Sequence, residues 1–126
     1  MEKRIINTTN APAPIGPYSQ AVLVNGVLYC SGQIAINPET NELVSHTLED
    51  ETHQVMKNIG ALLKEAEMDF GNIVKTSIFL SDMSLFTEVN RIYANYFEKD
   101  FPARETVAVK GLPKGVNVEI SVIAVR

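Results

Sequence analysis

The sequence predicts an α+β fold in which a mixed six-stranded sheet carries two helices on one face. Short runs rich in β-branched and aromatic residues, typical of strands, occur near the start of the chain, at 73–80 and at the C-terminus. Two longer segments, beginning near 47 and 84, keep the apolar spacing of amphipathic helices. Because a sheet buries its apolar face against a second layer, we expect a two-layer sandwich.

The first third of the chain is predicted to form a strand, a stiff loop and a β-hairpin. The strand begins at Ile5, and the loop covers residues 10–17, which contain three prolines. Proline fixes φ and lacks a backbone donor, so regular structure is excluded there. Strands at 20–24 and 27–34 flank Asn25-Gly26, a dipeptide typical of two-residue hairpin turns.

Each predicted helix has a polar residue at its start. Thr47 is the predicted N-cap of the first helix, and the acidic residues at 49–51 fill its first turn, where the positive end of the helix dipole favours negative charge. Ser84 is the predicted N-cap of the second helix, which ends before Pro102. The run 73–80 between the helices is a predicted strand.

The C-terminal region predicts a β-hairpin made by 101–109 and 117–125, with a turn at 110–115 that contains glycine and proline. The register that aligns the apolar side chains places Arg104 and Glu119 on the opposite face as diagonal neighbours, about 7–8 Å apart. That gap suits a small molecule, held by a guanidinium fork and hydrolysed by carboxylate-activated water. The same two residues suit a cross-strand salt bridge, so the residues alone leave both interpretations open.

Composition and charge limit the classes of function. At 126 residues the chain is predicted to be a single domain over 1–126, with 45% hydrophobic and 21% charged residues. A net charge of −4 argues against nucleic-acid binding as the main function.

The single cysteine, Cys30, excludes an internal disulfide and is expected to be a buried, unreactive side chain. The N-terminus lacks the apolar core of a signal peptide, so we expect a cytoplasmic protein without a membrane segment. His46 and His53 fall into no pattern of metal ligands.

Three motifs are distributed over nearly the whole chain. The first two are Ala13-Pro14-Ile15-Gly16-Pro17-Tyr18-Ser19-Gln20 and Ser31-Gly32-Gln33-Ile34. The third combines Pro102-Ala103-Arg104, Lys110-Gly111-Leu112-Pro113 and Val118-Glu119-Ile120. In this order they resemble the signature of the RidA family, also called YjgF/YER057c/UK114. The chain departs from that pattern at Glu105, where the family usually has a small residue, and at Thr106, where many members have cysteine.

The resemblance implies a chorismate-mutase-like fold and a hydrolytic activity. RidA-type deaminases convert reactive 2-imino acids and enamines, such as 2-iminobutanoate and 2-iminopropanoate, to 2-oxo acids and ammonia. A protonated imine is already electrophilic, so neither a metal nor another cofactor is expected. The resemblance also implies a homotrimer with sites at subunit interfaces. The sequence agrees, since strands 73–80 and 117–125 look apolar on both faces and two helices cover only one.

The resemblance also implies roles for individual residues. Arg104 would bind the substrate carboxylate, and Glu119 would position water and transfer protons. Tyr18 and Ser31 would help to place the water or the imine nitrogen. Three further residues would line the substrate pocket: Gly32, Asn90 and Thr106. Glu105 raises the question of whether a second carboxylate competes for Arg104.

Alternatives from other classes remain open at this level. Tyr18 could pack over the sheet edge, Gly32 could accommodate a neighbouring side chain, and Asn90 could be an exposed polar residue. Some relatives are described as endoribonucleases or translation inhibitors, although no histidine lies near the predicted site and the net charge is negative. A non-catalytic small-molecule-binding or holdase-like module could use the same apolar cleft.

Overall fold

The computed structural model describes residues 2–126, which form a six-stranded mixed sheet with two helices packed on one face. The helices are α1 (Leu48–Glu65) and α2 (Phe86–Ala94). The strands are β1 (Lys3–Ile6), β2 (Ala21–Val24), β3 (Val27–Cys30), β4 (Ile36–Asn37), β5 (Glu42–Leu43), β6 (Ile73–Leu80), β7 (Ala103–Ala108) and β8 (Val118–Val125). The large sheet has the order β1-β2-β3-β8-β6-β7, with β6 and β7 parallel and the other pairs antiparallel, while β4 and β5 form a separate small hairpin. The predicted fold class is confirmed.

Local sequence signals account for several boundaries. Asn25 and Gly26 both have positive φ (52° and 78°), as a tight turn that matches the twist of β2 and β3 requires. The Thr47 hydroxyl accepts a hydrogen bond from the backbone N–H of Asp50 at 3.0 Å, so the predicted cap of α1 is confirmed. The prediction of Ser84 as the cap of α2 is wrong. The side chain of Asp82 accepts the N–H of Ser84 at 2.8 Å and starts a short 3₁₀ turn that leads into α2.

The predicted C-terminal hairpin is also wrong, because β6 lies between β7 and β8. The segment β6–α2–β7 is a βαβ unit, in which the helical crossover makes the two strands parallel. Residues 109–117 then cross over β6, and β8 pairs antiparallel with both β6 and β3. The turn residues at 110–115 therefore belong to a longer connection between two strands that are not neighbours.

The two faces of the sheet differ in their cover. On one face, alternate residues of β8 are buried with the apolar stripe of α1, including Val118, Ile120 and Val122. The other face carries exposed apolar side chains: Ile5 (44%), Tyr29 (48%), Val107 (43%) and Val125 (38%). The predicted two-sided apolar character of the central strands agrees with this arrangement. Throughout residues 2–126, no helix combines the length and hydropathy needed to cross a membrane.

Candidate active site

A cavity of about 560 Å³ opens between the proline-rich loop, the segment after β3 and the start of β8. It brings together four of the predicted site residues: Tyr18, Ser31, Gly32 and Glu119. Much of its wall is apolar, from Pro12, Ala13, Ile15, Ile34, Ile36 and Pro113. A few polar groups in an otherwise apolar concavity are typical of small-molecule sites.

Glu119 lies directly against the backbone of Gly32. A β-carbon built at Gly32 would lie 2.9 Å from Cδ of Glu119 and closer still to Oε2, so a larger residue there would force the Glu119 side chain to move. The contact is held by paired backbone hydrogen bonds between Gln33 and Ile120, at 2.8 and 3.1 Å. Gly32 therefore allows a close approach of a side chain, which was one of the two interpretations of the sequence.

The carboxyl group of Glu119 is half-buried beside this wall, and desolvation raises its pKa above the usual value of 4.5. None of the ion pairs within residues 2–126 includes Glu119. A carboxylate that is partly desolvated and lacks a cationic partner is a better proton acceptor than an exposed one. Lys114, which the sequence interpretation did not single out, is a cationic residue in the lining of the same cavity.

The proline-rich loop is held by a buried residue that the sequence interpretation missed. The side-chain amide of Gln20, only 3% exposed, donates to the carbonyls of Thr8, Ala11 and Pro12 at 2.9–3.2 Å. Its Oε1 accepts the N–H of Thr8 at 2.8 Å. The sequence does contain a signal for this role. Gln20 follows three prolines, which have no backbone N–H, so the loop has more carbonyl acceptors than backbone donors. A side-chain amide next to the loop can supply the missing donors.

Tyr18 and Ser31 have polar groups that are already oriented. The Tyr18 hydroxyl accepts the N–H of Ile15 at 3.3 Å, while the residue as a whole is 53% exposed. The Ser31 hydroxyl donates to the carbonyl of Ser19 at 2.6 Å, which leaves its lone pairs as acceptors. Tyr18 therefore lines the cavity rather than packing over the sheet edge.

Arg104 lies apart from this cavity, in a second cleft of about 420 Å³ that Phe101 and Pro102 also line. Its Nη1 donates to Oδ1 of Asn90 at 2.7 Å. Its guanidinium carbon lies 5.7 Å from the ring centre of Phe86 and 5.2 Å from that of Tyr93, both on the helical layer. Asn90 is therefore half-buried and paired with Arg104, and the guanidinium is fixed in place with donors left for a ligand.

The prediction that Arg104 and Glu119 are diagonal neighbours on one face of the sheet is wrong for two residues of the same chain. Arg104 is in register with Thr76, and Thr76 is in register with the buried Val122, so Arg104 projects from the helix-covered face. Glu119 alternates with the buried Val118 and Ile120 and projects from the open face. The intervening strand and the opposite orientation exclude a salt bridge between Arg104 and Glu119 in the same chain.

Glu105 does not compete for Arg104, since it projects from the open face. Its Oε1 pairs with Nζ of Lys75 at 2.9 Å, and its Oε2 accepts a hydrogen bond from Ser77. These contacts, with that from Ser77 the largest, lower the pKa of Glu105. Thr106 shares the face of Arg104 but lines neither cleft, and its buried hydroxyl has no hydrogen-bond partner within the described part of the chain.

Cys30 is 8% exposed, and desolvation raises the pKa of its thiol to about 12, so the thiolate needed for nucleophilic chemistry is disfavoured. Nowhere in residues 2–126 do three His, Cys, Asp or Glu side chains cluster in a way that could hold a metal ion. Neither His46 nor His53 lines either cleft. The titratable side chains in the lining of the larger cavity are therefore Tyr18, Lys114 and Glu119.

The fold is that of a small α+β protein with two clefts, each large enough for a small molecule and each carrying a few polar side chains. The chain belongs to the RidA (YjgF/YER057c/UK114) family: the sequence profile described as Endoribonuclease L-PSP matches residues 8–126. It is 54% identical over 121 residues to AldR of Lactococcus lactis, described as a candidate regulator, with 96% of each chain covered. It is 48% identical over 124 residues to the human 2-iminobutanoate/2-iminopropanoate deaminase, with 98% of this chain and 90% of the human protein covered. The crystal structure of YyfA, a Rid-family protein of unknown function from Yersinia pestis, superposes with a TM-score of 0.96 at 53% identity, covering 99% of this chain and all of YyfA.

Proposed function

We propose that this protein hydrolyses reactive 2-imino acids, such as 2-iminobutanoate and 2-iminopropanoate, to 2-oxo acids and ammonia. The observation that carries the proposal is the Glu119 carboxyl, which is desolvated and lies against Gly32 in a cavity of small-molecule size. A raised pKa suits a group that both accepts and returns protons. The human relative at 48% identity is named for this activity, which supports the assignment.

In this mechanism Glu119 removes a proton from water as the oxygen adds to the imine carbon. The product is a tetrahedral carbinolamine, to whose nitrogen Glu119 returns the proton. The C–N bond then breaks, ammonia leaves, and Glu119 takes up the hydroxyl proton as the carbonyl of the 2-oxo acid forms. The Tyr18 hydroxyl and the lone pairs of Ser31 would hold the water or the nitrogen in line. The substrate imine supplies the electrophile, so the reaction uses no cofactor or metal.

Arg104 would bind the substrate carboxylate through the nitrogen donors that Asn90 leaves open. Since Arg104 and Glu119 project from opposite faces of one sheet, a complete site requires Arg104 from one chain and Glu119 from a neighbour. The exposed apolar face offers a surface for such an assembly. We therefore propose a homotrimer with the sites at its interfaces, of about three times the chain mass of 13.9 kDa. The reducing cytoplasm is the compartment that we propose for it.

The direct test measures loss of a freshly generated 2-imino acid and release of ammonia, with and without the protein. Hydrolysis faster than the background supports the proposal, and Glu119→Gln should reduce it on the order of 10²–10⁴-fold, because glutamine cannot accept the proton. An exposed control, Glu65→Gln on α1, should leave the rate unchanged. Wild-type protein that is trimeric yet leaves the background rate unchanged would refute the activity and would favour a binding module.

The name of the matching family profile suggests endoribonuclease activity as a second candidate. We expect no cleavage of single-stranded or structured RNA above background, because no histidine lines either cleft and the net charge is −4. Cleavage that persists through repeated purification and disappears in Glu119→Gln would instead assign the cavity to RNA hydrolysis.

A further inference from the structure

A buried carboxylate that the proposed mechanism does not use lies on the first turn of α1. Glu51 is only 2% exposed. Its Oε2 accepts the backbone N–H groups of Asn117 at 2.8 Å and Val118 at 3.2 Å, and its Oε1 accepts the side-chain amide of Asn117 at 3.0 Å. None of the ion pairs within residues 2–126 includes Glu51. Hydrogen bonds to the entry of β8, rather than a cation, therefore satisfy this carboxylate.

Glu51 takes the position of a strand partner at the entry to β8. The register pairing of β3 with β8 ends at Ile123, and further along the same edge the backbone of Ile120 pairs with that of Gln33 in an isolated bridge. Alternate N–H groups of a strand point to the same side, so the N–H of Val118 lies on this edge as well. Val118 is fully buried, and without Glu51 its N–H would lose the acceptor that a buried backbone donor needs.

Glu119 lies between the two points that hold this edge of β8. The Ile120–Gln33 bridge fixes the residue after it, and the bond from Val118 to Glu51 fixes the residue before it. If the second point is lost, the backbone at Val118 can shift while that at Ile120 stays in place, and this turns the Cα–Cβ bond of Glu119. A displacement of about 1 Å at a reacting group can cost on the order of 10²-fold in rate.

We propose that Glu51 is a positioning residue for the reaction: from α1 it fixes the entry to β8, and so holds Glu119 where it reaches the cavity. This inference rests on the proposed function. Glu51 acts through its reach and its acceptor oxygens rather than through its charge. Glutamine can reproduce the geometry, because its carbonyl oxygen can accept both backbone N–H groups while its amide donates to Asn117. The Asn117 amide then turns over and donates to the Ser81 hydroxyl, from which it now accepts a hydrogen bond at 3.1 Å.

The experiment compares wild type with Glu51→Asp, Glu51→Gln and the control Asp50→Ala, by kcat for imine hydrolysis per folded chain and by calorimetric Kd for 2-oxobutanoate. Aspartate keeps the charge but is one methylene shorter, so kcat should fall about 10- to 100-fold. Glutamine keeps the reach and should hold kcat within about threefold of wild type. The Kd should change by less than about twofold in each variant, because Arg104, the proposed carboxylate-binding group, lies in the other cleft. Asp50→Ala removes a carboxylate from an exposed position in the same helical turn and should leave both quantities unchanged.

The order of the two Glu51 variants separates reach from charge. A normal kcat in Glu51→Asp would overturn the inference, and an impaired Glu51→Gln beside it would show that the negative charge at the start of α1 is what matters. A partly unfolded variant would lose binding sites and turnover alike, so calorimetric stoichiometry identifies that case.

If Glu51→Asp does not fold, a second pair of variants decides. Asn117→Asp alone sets two carboxylates against each other and should lower kcat. Adding Glu51→Gln should restore it, because the glutamine amide can donate to the carboxylate at position 117. A double variant as slow as Asn117→Asp would overturn the inference.

Amide hydrogen exchange separates this inference from the proposed function. The backbone amides of Asn117 and Val118 should exchange faster in Glu51→Asp than in wild type and remain protected in Glu51→Gln, whether or not the protein hydrolyses imines. Inactive wild type with this exchange pattern contradicts the deaminase alone. Active wild type, with equal exchange and equal kcat in Glu51→Asp, contradicts the positioning role alone.

Discussion

Gly32 and Glu119 form a steric pair: the carboxyl group occupies the space that any β-carbon at residue 32 would need. The φ angle of Gly32 lies outside the left-handed region that favours glycine, so backbone conformation does not explain the residue. The requirement comes from the side chain of Glu119, which reaches across from β8 and fills one wall of the cavity. Gly32 therefore determines where the proposed base lies.

We expect Gly32→Ala to fold but to lose activity on the order of 10²-fold, because it displaces the Glu119 carboxyl from its reacting position. Measurements of kcat and KM for imine hydrolysis, together with the melting temperature, would check this. Gly111→Ala is the matched control, since nothing lies within 4 Å of a β-carbon built there. An alanine variant at residue 32 with a normal rate would contradict the assigned position of the base.

The pH dependence of the reaction should follow Glu119. The carboxylate must be ionised to accept a proton from water, so the rate rises with pH through its pKa. Because desolvation raises that pKa, the midpoint of this rise should lie above 4.5. Rates corrected for spontaneous imine hydrolysis should show the rise in wild type and lack it in Glu119→Gln. A midpoint at or below 4.5 would be inconsistent with a desolvated base.

The contribution of Glu119 to the stability of the fold should fall as pH rises, whereas the reaction rate should increase. Burial favours the protonated form of Glu119, so its contribution to the free energy of unfolding is greatest at low pH and declines as pH rises through the raised pKa. Glu119→Gln removes the charge, and we expect its melting temperature relative to wild type to be higher at pH 8 than at pH 4. Glu65→Gln, at an exposed position on α1, is the control variant for the same two measurements.

Arg104 should act through the shape of its guanidinium as well as its charge. Arg104→Lys keeps the charge but loses the planar fork and the contact with Asn90, so calorimetry should show weaker binding of 2-oxobutanoate by about 10- to 100-fold. Arg91→Lys on the exposed surface of α2 provides the control. Equal affinity of Arg104→Lys and wild type would remove Arg104 from the carboxylate site.

Much of the larger cavity could be predicted from the sequence because its parts are local motifs. Prolines at 12, 14 and 17 stiffen the loop that carries Tyr18, and Asn25-Gly26 fixes the hairpin that leads to Ser31 and Gly32. The ambiguity at Gly32 was resolved by a tertiary contact, since the neighbour that needs the space is 87 positions away in the sequence.

The placement of Arg104 could not be predicted from the hairpin signal. Turn residues at 110–115 and apolar alternation on both sides are typical of neighbouring strands, but they do not show that β6 can pair with each strand. Once β6 is inserted, Arg104 takes the face of Thr76 and meets α2, while Glu119 keeps the open face. The local alternation of apolar residues therefore predicted β7 and β8 as strands correctly. It predicted their pairing wrongly, because the order of strands in a sheet depends on long-range packing.

That separation of Arg104 and Glu119 makes the shared site testable by complementation. Arg104→Met and Glu119→Gln chains should each be nearly inactive alone, because every site lacks one of the two groups. When the two are unfolded together, refolded as mixed trimers and assayed at equal total chain, some interfaces combine the intact Arg104 of one chain with the intact Glu119 of its neighbour. Random assembly in equal amounts makes about one quarter of the sites complete, so we expect roughly a quarter of the wild-type rate.

The same experiment distinguishes sites shared between chains from sites within one chain. If both groups act from a single chain, no mixture contains a complete site and the rate stays at the level of the separate variants. Refolding each variant by itself controls for damage during the procedure, and size-exclusion chromatography confirms that mixed and unmixed samples have equal mass. Recovery that appears only when the two variants are mixed before refolding would therefore place Arg104 and Glu119 on opposite sides of one interface, in agreement with their opposite orientations in the single chain.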